Sequence, residues 1–203
     1  KREFAEKEVA EAASKGMIAE ELLNRRLAEI PPGCEGLVFQ PYFTPGVSMP
    51  NARGAVIGFS DVHTRIHIYR AIIEGINFAL MDGMKTLEKR MKTKTKGVYV
   101  AGGGSRSAEI CQITADMFGL PVYRSQTHEA AVIGSSAIAF TAIGRFKDLD
   151  EAIESMVHIT DEFKPDMEVH KTYDKIFNDI FAKIFDKLKP LYNVSKKKKK
   201  KHD

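Results

Sequence analysis

Cysteine is scarce in this chain. Cys34 and Cys111 are the only two in 203 residues, too few and too far apart for a disulfide framework or a four-cysteine zinc site. Reduced thiols, and with them a cytoplasmic location, are the expectation. Long apolar runs are missing too. No stretch approaches the ~18 apolar residues that cross a bilayer as a helix, and the charged first residues do not resemble a signal peptide, so no membrane partner is expected. Charge of one sign is also missing from the body. Six lysines and one aspartate in the terminal "KKKKKKHD" exceed the whole net charge of +4, which leaves the rest close to neutral. A self-repelling lysine run reads as a disordered tail, and outside it no basic stretch is interleaved with aromatics, so no specific nucleic-acid partner is expected.

What is present suits a globular protein. Apolar residues make up 43% of the chain and charged residues 29%, enough to build a sizeable core. Helices are expected over 2–14 and 18–30, broken at Gly16 and stopped by Pro31-Pro32-Gly33. Lys1 opens in the middle of a helical pattern, as if continuing an upstream part. "GLVFQPYF" and "AVIGFS" read as strands flanking a loop rich in proline, glycine and asparagine over 44–54. A long helix over 64–92, capped by Asp61 or Thr64, repeats Ile68, Ile72, Ile76 and Leu80 every four residues. "GVYVAG", nearly all apolar, suits an interior strand. A helix over 105–118 ends at Gly119, and Leu120–Tyr123 starts another strand. Further helices follow over 129–143, dense in small residues that permit close packing, over 148–157 with Asp148 as cap, and over 167–188 with Ile176, Ile180 and Ile184 on one face. "EFKPD" reads as a loop. The alternation makes an α/β domain with a central mixed sheet flanked by helices.

The most informative stretch is "VYVAGGGSRSAEICQITADMFGLPV". Gly102-Gly103-Gly104 between strand and helix would expose free amides at the positive end of a helix dipole. Glycine also lets backbone turn through positive φ and approach a ligand with no Cβ in the way. Phosphate or a planar base is the natural occupant. Other glycine motifs fail on particular residues. A P-loop lacks its lysine, and the dinucleotide fingerprint has Ser107 where its third glycine should stand. A kinase-type loop lies between two strands, not before a helix. A tight turn that binds nothing remains the plain alternative.

Five pieces recur in one order: Pro50-x-Ala52-Arg53-Gly54, then Gly58, then His67-x-x-x-Ala71-x-x-Glu74-Gly75, then the triple glycine, then Glu129-Ala130-Ala131 with Gly134. In this order and spacing, over residues 36–145, the chain resembles the C-terminal domain of the FGGY family of carbohydrate kinases. The resemblance implies a ribonuclease-H-like fold of the actin and hexokinase type, in which two such domains close on ATP and a sugar. It implies that Gly102, Gly103, Gly104, Ser105 and Ser107 bind nucleotide. Gly103 and Ser107 are the contacts carried over from glycerol kinase, which has asparagine at the latter position. Mg²⁺ would travel with the ATP. Phe59 after Gly58 and Met49 before Pro50 depart from the usual pattern. The family's catalytic aspartate and its sugar or polyol pocket would lie upstream of residue 1, so this chain alone would phosphorylate nothing. An exposed cleft wall would favour self-association, for instance a homodimer.

Other candidates resolve to plainer readings. His63 and His67 have zinc-protease spacing, but Thr64 stands where the general-base glutamate should follow. A helix-start histidine and a packed one are expected instead. Glu74 reads equally as a buried carboxylate bonded to a nearby loop, Asp116 as solvated, and Arg53 as a structural fork or a phosphate ligand. No histidine accompanies the serines at 105, 107, 135 and 136 at a hydrolase spacing. Domain boundaries are expected as a helical lead-in over 1–33, a nucleotide-binding domain over 34–192 and a tail over 193–203. The functional expectation is the ATP-binding half of a sugar or polyol kinase. A non-catalytic nucleotide-binding or interaction domain of the same fold is the alternative.

Overall fold

A computed structural model of the chain describes residues 5–43 and 51–199, the side chains of 193–199 excepted. Met49, Pro50 and most of the proline-rich loop therefore lie outside the described residues, as do 200–203 of the tail. The structure divides into two compact units, residues 1–94 with 167–203, and residues 95–166. This is not the division drawn from sequence, because the final helix belongs with the first part of the chain. Among the described residues there are two small sheets rather than one central sheet.

The first unit begins with α1 (Glu6–Ser14) and α2 (Ala19–Arg25), separated by the left-handed Gly16 (φ +64°). A 3-10 turn at Arg26–Glu29 follows. Strands β1 (Val38–Gln40) and β2 (Ala55–Ile57) pair antiparallel, Phe39 opposite Val56. Helix α3 (Arg65–Met91) starts at Thr64, whose amide donates to Nδ1 of His67 (3.1 Å), which caps the helix start as a capping box does. Its buried face carries Ile66, Arg70, Ile73, Glu74, Asn77, Phe78 and Met81. Ile76 and Leu80, expected on the core stripe, are exposed instead. A strict four-residue repeat drifts around a helix of 3.6 residues per turn, so it cannot stay on one face over four turns.

Against α3 lies β1, and Gly75 makes that approach feasible: a Cβ there would come within 2.3 Å of the Phe39 carbonyl oxygen. Ile30, Cys34, Leu37, Phe39, Ile66 and Ala71 form the resulting core. Helix α7 (Met167–Ile176) passes through a π turn at Phe177–Phe181 into α8 (Ala182–Lys199). The wider turn keeps Tyr173, Phe177 and Phe181 all around Phe78, with ring centroids 6.1, 6.2 and 5.2 Å away. Core packing thus interrupts the single helix expected there. Ile184 is buried as the sequence suggested. The backbone stays helical through Pro190 to Lys199, where a disordered tail was expected from 193. Lysine is a good helix former, so an established helix can run on into it.

A buried polar network fastens this unit. Oε1 of Glu74 accepts from Arg70 Nε (2.8 Å), the Tyr173 hydroxyl (2.7 Å) and the Gly33 amide (3.2 Å). Arg70 also donates through Nη1 to the carbonyls of Leu27 and Ile30, each at 2.7 Å, and through Nη2 to the Tyr173 oxygen at 2.9 Å. Burial, and then the negative charge of Glu74, push the Tyr173 phenol far above its ordinary range, so it stays protonated and donates.

The second unit holds β3 (Val98–Val100), α4 (Ala108–Phe118), β4 (Val122–Ser125), α5 (Ala130–Ala142), α6 (Leu149–Met156) and β5 (Ile159–Phe163). The strand order is β3-β4-β5, with β3 parallel and β5 antiparallel to β4. So β3, expected inside the sheet, lies at an edge of it among the described strands, with Tyr99 exposed. Strand β5 stands where sequence gave only the "EFKPD" loop. Asp161 and Glu162 in its middle disfavour a strand although Ile159, Thr160 and Phe163 favour one, so pairing with β4 decides the matter. Cys111, Ala115 and Val122 centre the core under α4. Gly119 ends α4 at φ +62°, and the Asp148 carboxylate accepts the Glu151 amide to cap α6, both as expected. Helices α5 and α6 pack together, and the residue that each buries is an alanine, Ala137 and Ala152.

Glu74→Gln tests the first unit. It removes the charge that offsets the buried Arg70 guanidinium, and a broken buried pair costs about 3–5 kcal/mol. Urea unfolding of the variant should show that loss, with loosening of α7 reported by Tyr173.

Candidate functional site

Strand β3 ends at Val100, and Gly102 then takes φ +81° and ψ −172°, a backbone conformation open essentially to glycine alone. A 3-10 turn over Gly103–Arg106 follows, so the helix expected from residue 105 begins one turn later, at Ala108. The Gly102 amide donates to the His128 carbonyl (2.8 Å), which ties the turn to the start of α5. Gly103 and Gly104 need no positive φ, and a Cβ on either would meet nothing within 4 Å. Among the described residues nothing requires glycine at these two exposed positions. Their amides, the first of the turn, have no backbone partner outside it among the described residues.

The two serines face inward instead. Ser105 is buried and its hydroxyl donates to the Gly102 carbonyl (2.8 Å). Ser107 is the N-cap of α4: its Oγ accepts from the Ile110 amide (3.2 Å) and donates to Glu109 Oε2 (2.6 Å). Of the five residues read as a nucleotide site, Gly103 and Gly104 are open backbone, Gly102 turns the chain with its amide bonded to His128, and the two serines shape and cap the turn. The guanidinium of Arg106, on the open side, donates to His128 Nε2.

Sequence reasoning did not single out Arg124 on β4. Its Nη1 donates to the carbonyls of Ser105 (3.0 Å) and Arg106 (3.3 Å), and its Nε to Asp161 Oδ2 on β5 (3.0 Å). The Arg124 bond, and then that from the Thr160 hydroxyl, hold the Asp161 carboxyl below its usual range. No local signal marks this pair, because Asp161 lies on the strand the sequence did not show.

The other candidates settle in place. His63 accepts the Ser60 amide at Nδ1 (2.8 Å), which leaves Nε2–H to donate to the Cys34 carbonyl (3.0 Å). His67 bonds in the same sense to Glu35 (2.8 Å). Among the described residues no three metal-binding side chains converge. Glu74 is the buried carboxylate that one reading gave. Asp116, expected to be solvated, instead accepts from Gln112 Nε2 and the Asp166 amide, each at 2.8 Å. The Arg53 side chain is exposed, and its carbonyl accepts from the Tyr192 hydroxyl (3.2 Å).

Known proteins resemble this chain in sequence and fold. Residues 2–143 match the model of the C-terminal domain of the FGGY family of carbohydrate kinases. The chain belongs to that family. The match begins well before residue 36, so the lead-in helices are included in it. An uncharacterized sugar kinase of Escherichia coli, YgcE, is 31% identical over 176 residues, covering 87% of this chain and 36% of its own length. A xylulose kinase of Staphylococcus epidermidis is also 31% identical, with coverage of 85% and 35%. Among solved structures, xylulose kinase from Rhodospirillum rubrum superposes with a TM-score of 0.76 at 28% identity, over 94% of this chain and 38% of that one. The fold is thus that of the FGGY kinases, the actin and hexokinase type of ATPase, and the chain spans little more than a third of these relatives' length. No helix among the described residues is long and apolar enough to cross a membrane.

The capping role of Ser107 yields a test. Ser107→Ala should cost about 1 kcal/mol, a fall of several degrees in Tm. Ser107→Asn, which keeps a capping oxygen, should melt close to the parent.

Proposed function

We propose that this chain is the nucleotide-binding part of an ATP-dependent sugar or polyol kinase. The observation that carries the reading is the bareness of Gly103 and Gly104, for which neither backbone conformation nor neighbours give a reason. Bare amides at the head of a turn leading into α4 fit phosphate oxygens, because they offer donors and the positive end of a helix dipole. The family and the names of relatives, xylulose kinase and glycerol kinase, agree with that chemistry. ATP supplies the phosphoryl group, with magnesium carried on its phosphates.

This chain's part in the reaction is binding and orientation. Phosphoryl transfer depends on positioning and charge neutralisation more than on covalent chemistry by the protein. Gly102 turns the backbone, Gly103 and Gly104 meet the nucleotide, and Ser105 and Ser107 keep the turn in shape from behind. The sugar or polyol pocket and the base that takes the hydroxyl proton belong to the remainder of a full-length kinase.

Calorimetric titration of this chain with ADP should show weak binding, near the millimolar range that about −4 kcal/mol describes. Gly103→Val should abolish it with little change in Tm, because the added side chain enters open space at an unstrained φ. Undiminished ADP binding by that variant would refute the site. A coupled assay over glycerol, xylulose, ribulose and gluconate should find no turnover by these 203 residues alone. Sugar-dependent turnover would show that the sugar pocket and base lie within them.

A further inference from the structure

The glycine turn has little to stabilise it on its own. Beyond the Gly102 amide, its backbone is fixed by the bonds from Ser105 N and Ser107 N to the carbonyls of Gly102 (3.1 Å) and Gly104 (3.3 Å). Both are local and reversible. What holds its far end to the sheet is one guanidinium. Arg124 Nη1 spans the consecutive carbonyls of Ser105 and Arg106, while Nε is held by Asp161. The Thr160 hydroxyl lies 2.7 Å from the same Asp161 oxygen and 3.2 Å from the Arg124 carbonyl, which fixes Asp161 against β4. The Phe163 ring lies under the guanidinium, 5.4 Å from it. Nε and Nη1 of Arg124 are thus both engaged, and its side chain is three-quarters out of solvent.

We propose that Arg124, oriented by Asp161, is a positioning residue for nucleotide binding, acting through the glycine turn without touching the ligand. This rests on the nucleotide reading above. Two carbonyls drawn onto a cation point their negative ends away from the open side, where a phosphate would otherwise meet them. The same bonds fix the peptide planes that follow Ser105 and Arg106 at the end of the turn, and with its end held the short turn keeps the two bare amides at its start presented in one geometry. The planar fork reaches the carboxylate through Nε and the two carbonyls through Nη1 at fixed relative positions, whereas a lysine would have to serve all three acceptors from a single nitrogen on a flexible stem.

The test uses the whole chain. Arg124→Met keeps the length and loses the fork, Arg124→Lys keeps charge alone, and Asp161→Asn leaves Arg124 without its carboxylate. Each is followed by ADP calorimetry, by thermal melting, and by the amide resonances of Gly103 and Gly104 without nucleotide. Arg124→Met should weaken ADP binding about tenfold, the scale of one lost charge-assisted hydrogen bond, and should shift or broaden both glycine resonances. Arg124→Lys should recover only part of either change. Adding Asp161→Asn to Arg124→Met should do no further harm, because the two act as one unit. A merely structural arginine would lower Tm and leave the glycine resonances and the ADP affinity of the folded fraction alone, which overturns the proposal. Should Arg124→Met fail to fold, Asp161→Asn decides on the same two readings. If the parent binds no ADP, the nucleotide reading falls, and the glycine resonances alone decide whether Arg124 sets the turn.

Discussion

Tyr173 and Glu74 are 99 residues apart in sequence and meet in a 2.7 Å hydrogen bond. That contact joins the two stretches of sequence that make up the first unit, which depends on it. A carboxylate and a guanidinium are rarely buried unless each is paired. Here Glu74 and Arg70 pair with each other, and their remaining valences hold Gly33, Leu27, Ile30 and Tyr173. Three segments distant in sequence are fixed by two side chains one helical turn apart. The aromatic cluster around Phe78 then packs α7 and the π turn against the same face of α3.

The second unit divides its labour differently. Its sheet is small and its core is centred on Cys111, Ala115 and Val122, yet it displays an open glycine turn at one end of the strands. Glycine at 102 is demanded by backbone conformation, whereas at 103 and 104 nothing among the described residues demands it. Ser105 and Ser107, read from the resemblance as nucleotide contacts, bond within the turn and at the helix cap. The backbone faces outward and the side chains support it from behind. Such a surface suits an anion with several oxygens, which hydrogen-bonds to amides regardless of sequence.

Much of this was legible in the residues. Helix ends announced themselves through Gly16, Thr64, Gly119 and Asp148, because caps and left-handed turns are chosen within a few residues of chain. The ordered motifs from Ala52 to Gly134 identified the family, and the buried reading of Glu74 was available from its setting in "AIIEG". The glycine turn could be located because three consecutive glycines between a strand and a helix are plain in the sequence.

Other features needed the fold. Ile76 and Leu80 repeat as a core stripe should, but the angular drift of a long helix carries them to the surface. Strand β5 exists because β4 offers it an unpaired edge, and its acidic residues carry no local sign of that. Arg124 therefore looked like any strand arginine until Asp161 was brought beside it. The sequence by itself determined the family, several of the helix ends and the position of the glycine turn, since these are written in short-range spacing and backbone preference. Only the tertiary structure decided which side chains hold that turn, because that choice depends on strand pairing between residues 37 apart.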